Sequence, residues 1–188
     1  WEESGQVVAR QVSMDAAPNL GPSLRLSETS GSQVSLAGGG SGAYAIWSER
    51  SDRFGRIRLR PLILDKTGTV KPGRACYVDP LPPVDEQLYP TAALAGGQLV
   101  VAWEDRRPKH TIIMAAAAPS TEPCRFTQPV RISEKPEGRN LPYGTGHGVS
   151  RVALGQFGRD RVFAAWADKR NFRDGYDIWG AEYGMEKN

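Results

Sequence analysis

Three octets of this 188-residue chain line up without gaps: Ala43 to Arg50 (Ala-Tyr-Ala-Ile-Trp-Ser-Glu-Arg), Leu99 to Arg106 (Leu-Val-Val-Ala-Trp-Glu-Asp-Arg) and Val162 to Lys169 (Val-Phe-Ala-Ala-Trp-Ala-Asp-Lys). Each is an apolar run that ends in Trp (Trp47, Trp103, Trp166), with an acidic residue two positions later. Trp1-Glu2-Glu3 repeats the tail of the same pattern. The flanks recur as well. Leu36-Ala37-Gly38-Gly39 and Leu94-Ala95-Gly96-Gly97 precede their octets, Leu154-Gly155 is a looser version, and Arg25-Leu26-Ser27-Glu28 is echoed by Arg131-Ile132-Ser133-Glu134. The Trp residues of this motif, Trp1, Trp47, Trp103 and Trp166, are 46, 56 and 63 positions apart. A period of this length marks a repeat architecture, in which each unit buries its apolar faces only against its neighbours.

The units read as strands. Leu99-Val100-Val101-Ala102-Trp103 is apolar on consecutive residues, the pattern of a strand buried on both faces. Ala115 to Ala118 would suit a helix by propensity, but it follows Thr111-Ile112-Ile113 and runs into Pro119, which favours a strand. Each repeat then holds four strands: the Leu-Ala-Gly-Gly segment, the octet, a run after a polar turn, and the Arg-Leu-Ser-Glu segment. The third-strand runs are Gln6 to Val12, Arg56 to Leu64, Thr111 to Ala118 and Tyr176 to Tyr183. The alternation Ile57-Arg58-Leu59-Arg60 predicts a strand with a solvated basic face.

The expected fold is therefore all-β: a β-propeller of four-stranded blades, with about three blades plus partial terminal ones, from a ring of about six or seven. Residues 1–28 would end a preceding blade, 29–79 and 80–134 would be blades, and 135–188 a final blade without its outer strand. Such a chain would not close a ring alone. Another chain, or another segment of a longer precursor, is the expected partner, and a start on Trp1 instead of Met fits a trimmed piece.

Composition narrows the classes. The net charge of +3 is spread among acidic residues with no basic stripe, so nucleic acid is not an expected partner. No apolar run approaches the roughly 20 residues of a membrane-spanning helix, so membrane insertion is not expected. Cys76 and Cys124 lack metal-ligand spacing, and a disulfide between them is expected, which points to an extracytoplasmic (periplasmic or secreted) location.

Trp103-Glu104-Asp105-Arg106-Arg107, Trp166-Ala167-Asp168-Lys169-Arg170 and the following Asp174-Gly175-Tyr176-Asp177-Ile178-Trp179 resemble the repeats of sialidase-like bacterial propellers. The resemblance covers most of the chain and implies a fold, not an activity. The Asp-box of that family is absent in its usual form. Ser51-Asp52-Arg53-Phe54-Gly55 is similar to it but falls between the second and third strands. The arginine cluster and the Tyr/Glu pair that the family implies do not map onto particular residues here, so no catalytic residue is assigned.

In a propeller, the connections from strand 2 to 3 and from strand 4 to 1 share one face, at the mouth of the central channel. The ligand-binding candidates on that face are Arg50, Asp105, Arg107, Tyr143, His147, Asp168 and Arg170. An acid present in every repeat also has a plain structural explanation as a turn fastening. The segment 134–148 breaks the repeat: Ser133 to Trp166 spans 33 residues where Ser27 to Trp47 spans 20. Its His147 sits between glycines, which permit close approach of a ligand, and a lone His gives no metal site. No cofactor motif is present, since Gly144-Thr145-Gly146-His147-Gly148 does not open a helix. Three functions follow: binding of a protein or glycan without catalysis, a sialidase-like glycoside hydrolase with catalytic residues partly outside this chain, or a structural subunit of a multi-chain assembly.

Overall fold

The computed structural model of the chain describes residues 1–14, 17–39, 42–107, 110–133, 149–169 and 175–184. Among these residues every regular element is a strand. The order is β1 (Glu2–Glu3), β2 (Gln6–Ala9), β3 (Leu24–Arg25), β4 (Gly31–Gly39), β5 (Gly42–Ser51), β6 (Phe54–Leu64), β7 (Val70–Pro72), β8 (Cys76–Tyr77), β9 (Gln87–Ala95), β10 (Gln98–Asp105), β11 (Ile112–Pro119), β12 (Val130–Arg131), β13 (Val149–Phe157), β14 (Arg161–Asp168) and β15 (Asp177–Gly184). They form four antiparallel sheets that follow one another along the chain: β1-β2-β3, β4-β5-β6-β7 with β8 also on β6, β9-β10-β11-β12, and β13-β14-β15. None is closed on itself.

Each octet is the second strand of its sheet, and the three Trp residues occupy one register position. Trp47 pairs with Arg58, Trp103 with Met114 and Trp166 with Trp179 on the neighbouring third strand. All three indoles are buried. Each packs toward the preceding sheet. Trp47 shares a cluster with Val7 and Leu26, Trp103 with Ile57 and Val78, and Trp166 with Ile113 and the half-buried Ile132. The consecutive apolar residues of β10 now have their reason. Leu99, Val101 and Trp103 face the second sheet, while Val100 and Ala102 face the fourth. Burial of each large side chain stabilises the stack by about 1.5–3 kcal/mol.

Gly31, at the start of β4, shows how tight this stacking is. A Cβ there would lie 2.8 Å from Cδ1 of Trp47 and 3.0 Å from Cγ2 of Val7, so only glycine lets the second sheet close on the first.

Cys76 and Cys124 form a disulfide, with Cα atoms 5.8 Å apart, that ties β8 to the connection between β11 and β12. It joins the second and third sheets at their outer edges and is compatible with an extracytoplasmic protein. Among the described residues no helix is long and apolar enough to cross a membrane.

One expectation is corrected. The basic face of β6 is not solvated. The Arg58 and Arg60 side chains are only 11% and 16% exposed, and both bind Glu28, at 3.0 and 3.1 Å. Arg56 and Arg58 lie over the ring of Tyr77, 3.6 and 4.4 Å from its centroid. Because Arg58 shares the face of Trp47, it is turned toward the first sheet, where its aliphatic stem is covered and its head is met by carboxylates. Alternation in the sequence identified the strand correctly but could not show that a second sheet lies across its polar face.

Candidate functional site

The acid of each Trp motif serves its own indole. Trp47 Nε1 donates to Glu49 Oε2 at 3.2 Å, Trp103 Nε1 to Asp105 Oδ2 at 3.2 Å, and Trp166 Nε1 to Asp168 Oδ2 at 3.5 Å. Glu49, Asp105 and Asp168 are all buried. The first two also reach the segment just past the last strand of the preceding sheet, β3 or β8. Glu49 accepts the backbone N–H of Glu28 at 3.1 Å. Asp105 is bridged to Asp79 by the Arg107 guanidinium, whose Nη2 lies 2.7 Å from each carboxylate. The Trp-x-acid unit therefore fastens one sheet to the next.

Arg107 holds two carboxylates that are 2% and 1% exposed, and those charges push its own proton affinity above the ordinary arginine value. Arg107→Ala would leave both acids buried without their cation. The expected loss of stability is about 2–4 kcal/mol, lowered from the fully buried case because the guanidinium is partly exposed. Urea unfolding of the variant checks it, and a loss within the ordinary surface range of about 0.5 kcal/mol would contradict the bridging role.

The first strands carry a second repeated feature. Opposite each buried Trp, the first strand places two residues where the ladder expects one: Gln33 and Val34 opposite Trp47, Tyr89 and Pro90 opposite Trp103, Arg151 and Val152 opposite Trp166. These are β-bulges, which re-aim side chains and recur beside binding sites. The first residue of each adopts a left-handed backbone, with φ of 59° at Gln33, 49° at Tyr89 and 57° at Arg151. No glycine is used at these three positions. Each turn is held by an acceptor from another strand. Gln33 N donates to Glu2 Oε1, Tyr89 N to Gln33 Oε1 at 2.7 Å, and Arg151 N to Glu104 Oε1 at 2.7 Å.

Because β4, β9 and β13 lie beside one another, the three bulges converge. Gln33, Val34, Tyr89, Pro90, Arg151 and Val152 line one hollow of about 330 Å³. The Arg151 guanidinium lies over the Tyr89 ring, 3.9 Å from its centroid. The backbone repeats while the side chains do not, so a symmetric scaffold presents an amide, a phenol and a guanidinium in one asymmetric place. A larger groove, about 1010 Å³, opens at the opposite end of the sheets beside Gly39, Tyr44, Gly97 and Ser120. Its charged lining residues are Arg74, Glu122 and Arg125, of which the last two pair with each other at 3.4 Å, and five of its twenty lining residues are glycine.

Burial raises the carboxyl pKa of Glu104, and the Arg151 N–H only partly offsets this. A raised acid pKa means that the charged form costs stability above that pKa, a cost relieved as pH falls through it toward the unfolded value. Glu104→Gln keeps an acceptor for Arg151 N and removes the charge. The variant should melt higher than the parent near neutral pH, with the gap shrinking as pH falls into the ordinary carboxyl range. A gap that stays constant with pH would contradict the assignment.

The sequence-based candidates are distributed as follows. Asp105 and Asp168 are buried with their carboxylates occupied by the chain's own donors, and Arg107 is engaged by Asp79 and Asp105. Arg50 is exposed near the end of β5 and pairs with Glu86 at 3.2 Å. Tyr143, His147 and Arg170 lie outside the described residues. The ends of the second strands meet the segments entering the first strands: Arg50 N, late in β5, donates to Ser30 O at 2.8 Å, and Arg106 N, just after β10, donates to Glu86 O at 3.1 Å. The bulge residues Gln33, Tyr89 and Arg151 are absent from the candidates. Their one sequence signal was a nearly constant distance upstream of each Trp across the first hairpin, 14, 14 and 15 residues. No protein-family model matches the chain and no curated protein is similar to it, so the functional reading rests on its own residues.

Proposed function

We propose that the chain is a segment of an extracytoplasmic β-propeller that binds a protein or glycan ligand without catalysis, at the end of the sheets where the bulges lie. Four successive meander sheets, stacked through equivalent Trp residues with their first strands adjacent, support the propeller. The disulfide supports the location. The hollow framed by Gln33, Tyr89 and Arg151 carries the binding reading. Strained backbone at three converging positions is retained where the surrounding structure enforces it, and such positions concentrate at binding sites. The strand order expected from the repeat would put Arg50 and the repeat-breaking segment with Tyr143 and His147 on one face of a propeller, where a larger ligand would extend.

The test uses a panel of immobilised glycans and extracytoplasmic proteins. Arg151→Asn removes the guanidinium while keeping a residue that tolerates φ of 57°. The parent should bind at least one probe, with at least tenfold weaker binding in Arg151→Asn and in Tyr143→Ala/His147→Ala, at nearly unchanged thermal stability. Unaltered affinity in both variants would move the site elsewhere.

A further inference from the structure

Val7 in β2, Ile57 in β6 and Ile113 in β11 occupy one position of the third strand and are each 0% exposed. The residue that follows β3, β8 or β12, the outer strand in each case, meets each of them through the backbone. Val7 O accepts Leu26 N at 2.8 Å, Ile57 O accepts Val78 N at 3.0 Å, and Ile113 O accepts Ile132 N at 3.0 Å. A serine next along the chain takes the amide: Val7 N donates to Ser27 Oγ at 2.9 Å and Ile113 N to Ser133 Oγ at 3.0 Å. The arginine before the aliphatic residue closes the motif, since Nε of Arg25 and Arg131 donates to the Ser27 and Ser133 carbonyls at 3.0 and 2.7 Å. In the middle sheet Asp79 stands where the serine would be, and Gln87 Oε1 accepts Ile57 N instead, at 3.2 Å.

Register places Ile178 of β15 at the same position. It pairs with Ala167 as Ile113 pairs with Glu104 and Ile57 with Ser48. Ile178 is 78% exposed, and among the described residues no strand pairs with the outer edge of β15. An edge with a free amide ladder accepts an added strand, main-chain bonds giving affinity and alternate side chains giving selectivity.

We propose that the outer edge of β15 is a strand-addition site whose occupant is an extended segment of the pattern Arg-aliphatic-Ser. Its aliphatic N–H bonds the Ile178 carbonyl, its serine hydroxyl accepts the Ile178 amide, and its arginine braces the serine carbonyl. Two other sheets of the same chain already make this joint, and they define the chemistry of the occupant. The proposal rests on the repeat phase used in the propeller reading and is independent of the ligand hollow.

The test extends the full chain at its C-terminus by a flexible Gly/Ser linker of about 15 residues and a copy of residues 22–29 (Pro-Ser-Leu-Arg-Leu-Ser-Glu-Thr). Hydrogen exchange is followed at Ile178. The extended chain should exchange at least tenfold more slowly there than the parent. A copy carrying Leu26→Asp and Ser27→Ala should lose that protection. Unchanged exchange, equal slowing with the doubly substituted copy, or slowing at Val7 alone through displacement of native β3, would each overturn the proposal. Slowed exchange at Ile178 in a chain that proves to be a stable monomer would keep the strand site and sink the ring.

Discussion

Trp103→Ala is expected to destabilise the chain by about 3–5 kcal/mol, enough to remove most of the stability of a domain this size. The indole is 0% exposed and sits between the second and third sheets, clustered with Ile57, Leu59 and Val78. Its removal opens a cavity at an interface that backbone ladders hold at fixed spacing, so the site relaxes poorly. It also leaves Asp105 without the Nε1 donor at 3.2 Å. Trp103→Phe separates the two effects, since it restores most of the volume and none of the hydrogen bond. An intermediate loss of about 1–3 kcal/mol is expected for it. Trp1, 46% exposed, provides the internal control, because the same truncation there should be nearly silent. Urea unfolding midpoints of the three variants check the order. A Trp103→Ala chain that unfolds at the parent's midpoint would contradict the fastening.

The second large effect concerns the disulfide. Cys76 and Cys124 are 48 residues apart, and removing such a cross-link costs about 4 kcal/mol in the chain-entropy account. Cys76→Ser/Cys124→Ser should therefore unfold at a much lower temperature than the oxidised parent. Reductant should lower the parent's midpoint toward that of the variant and leave the variant unmoved. Thiol titration of the denatured, unreduced parent gives the covalent answer directly. Two titratable thiols would mean that the bond is not formed.

Much of the strand content was legible because the repeat carried it. The octets became β5, β10 and β14, and their Trp residues share one register and one partner chemistry. Local signals were enough there, since an apolar run bounded by turns needs no knowledge of its neighbours. The misreading of Arg58 and Arg60 had the opposite origin. Their alternation is a property of one strand, while their burial depends on Glu28 and the sheet facing them. The bulges were hidden for a related reason. Gln33, Tyr89 and Arg151 share neither residue type nor a glycine that would advertise φ > 0, and only pairing against the Trp strand reveals the extra residue. The repeat also keeps interactions where it loses letters. Asp79 breaks the Arg-aliphatic-Ser pattern, yet the Ile57 amide is satisfied by Gln87 from a different segment, which in turn donates to Asp79 at 3.3 Å. A motif search on that strand passes over the middle sheet, although the joint is intact.

The central proposal is that these four sheets are part of a larger ring in which further polypeptide covers the outer sheets. Ile178, Tyr176 and Phe163 of the fourth sheet region are 78%, 57% and 45% exposed, while the corresponding faces of the inner sheets are closed. Exposed apolar surface of this kind costs about 25 cal/mol for each Å² left in water, and unpaired edges promote association. Size-exclusion chromatography with light scattering on the isolated chain, over a wide concentration range, measures this most directly. Masses that rise with concentration above the 20.5 kDa monomer are expected. A 20.5 kDa species at every concentration, unfolding in one cooperative step, would contradict the proposal.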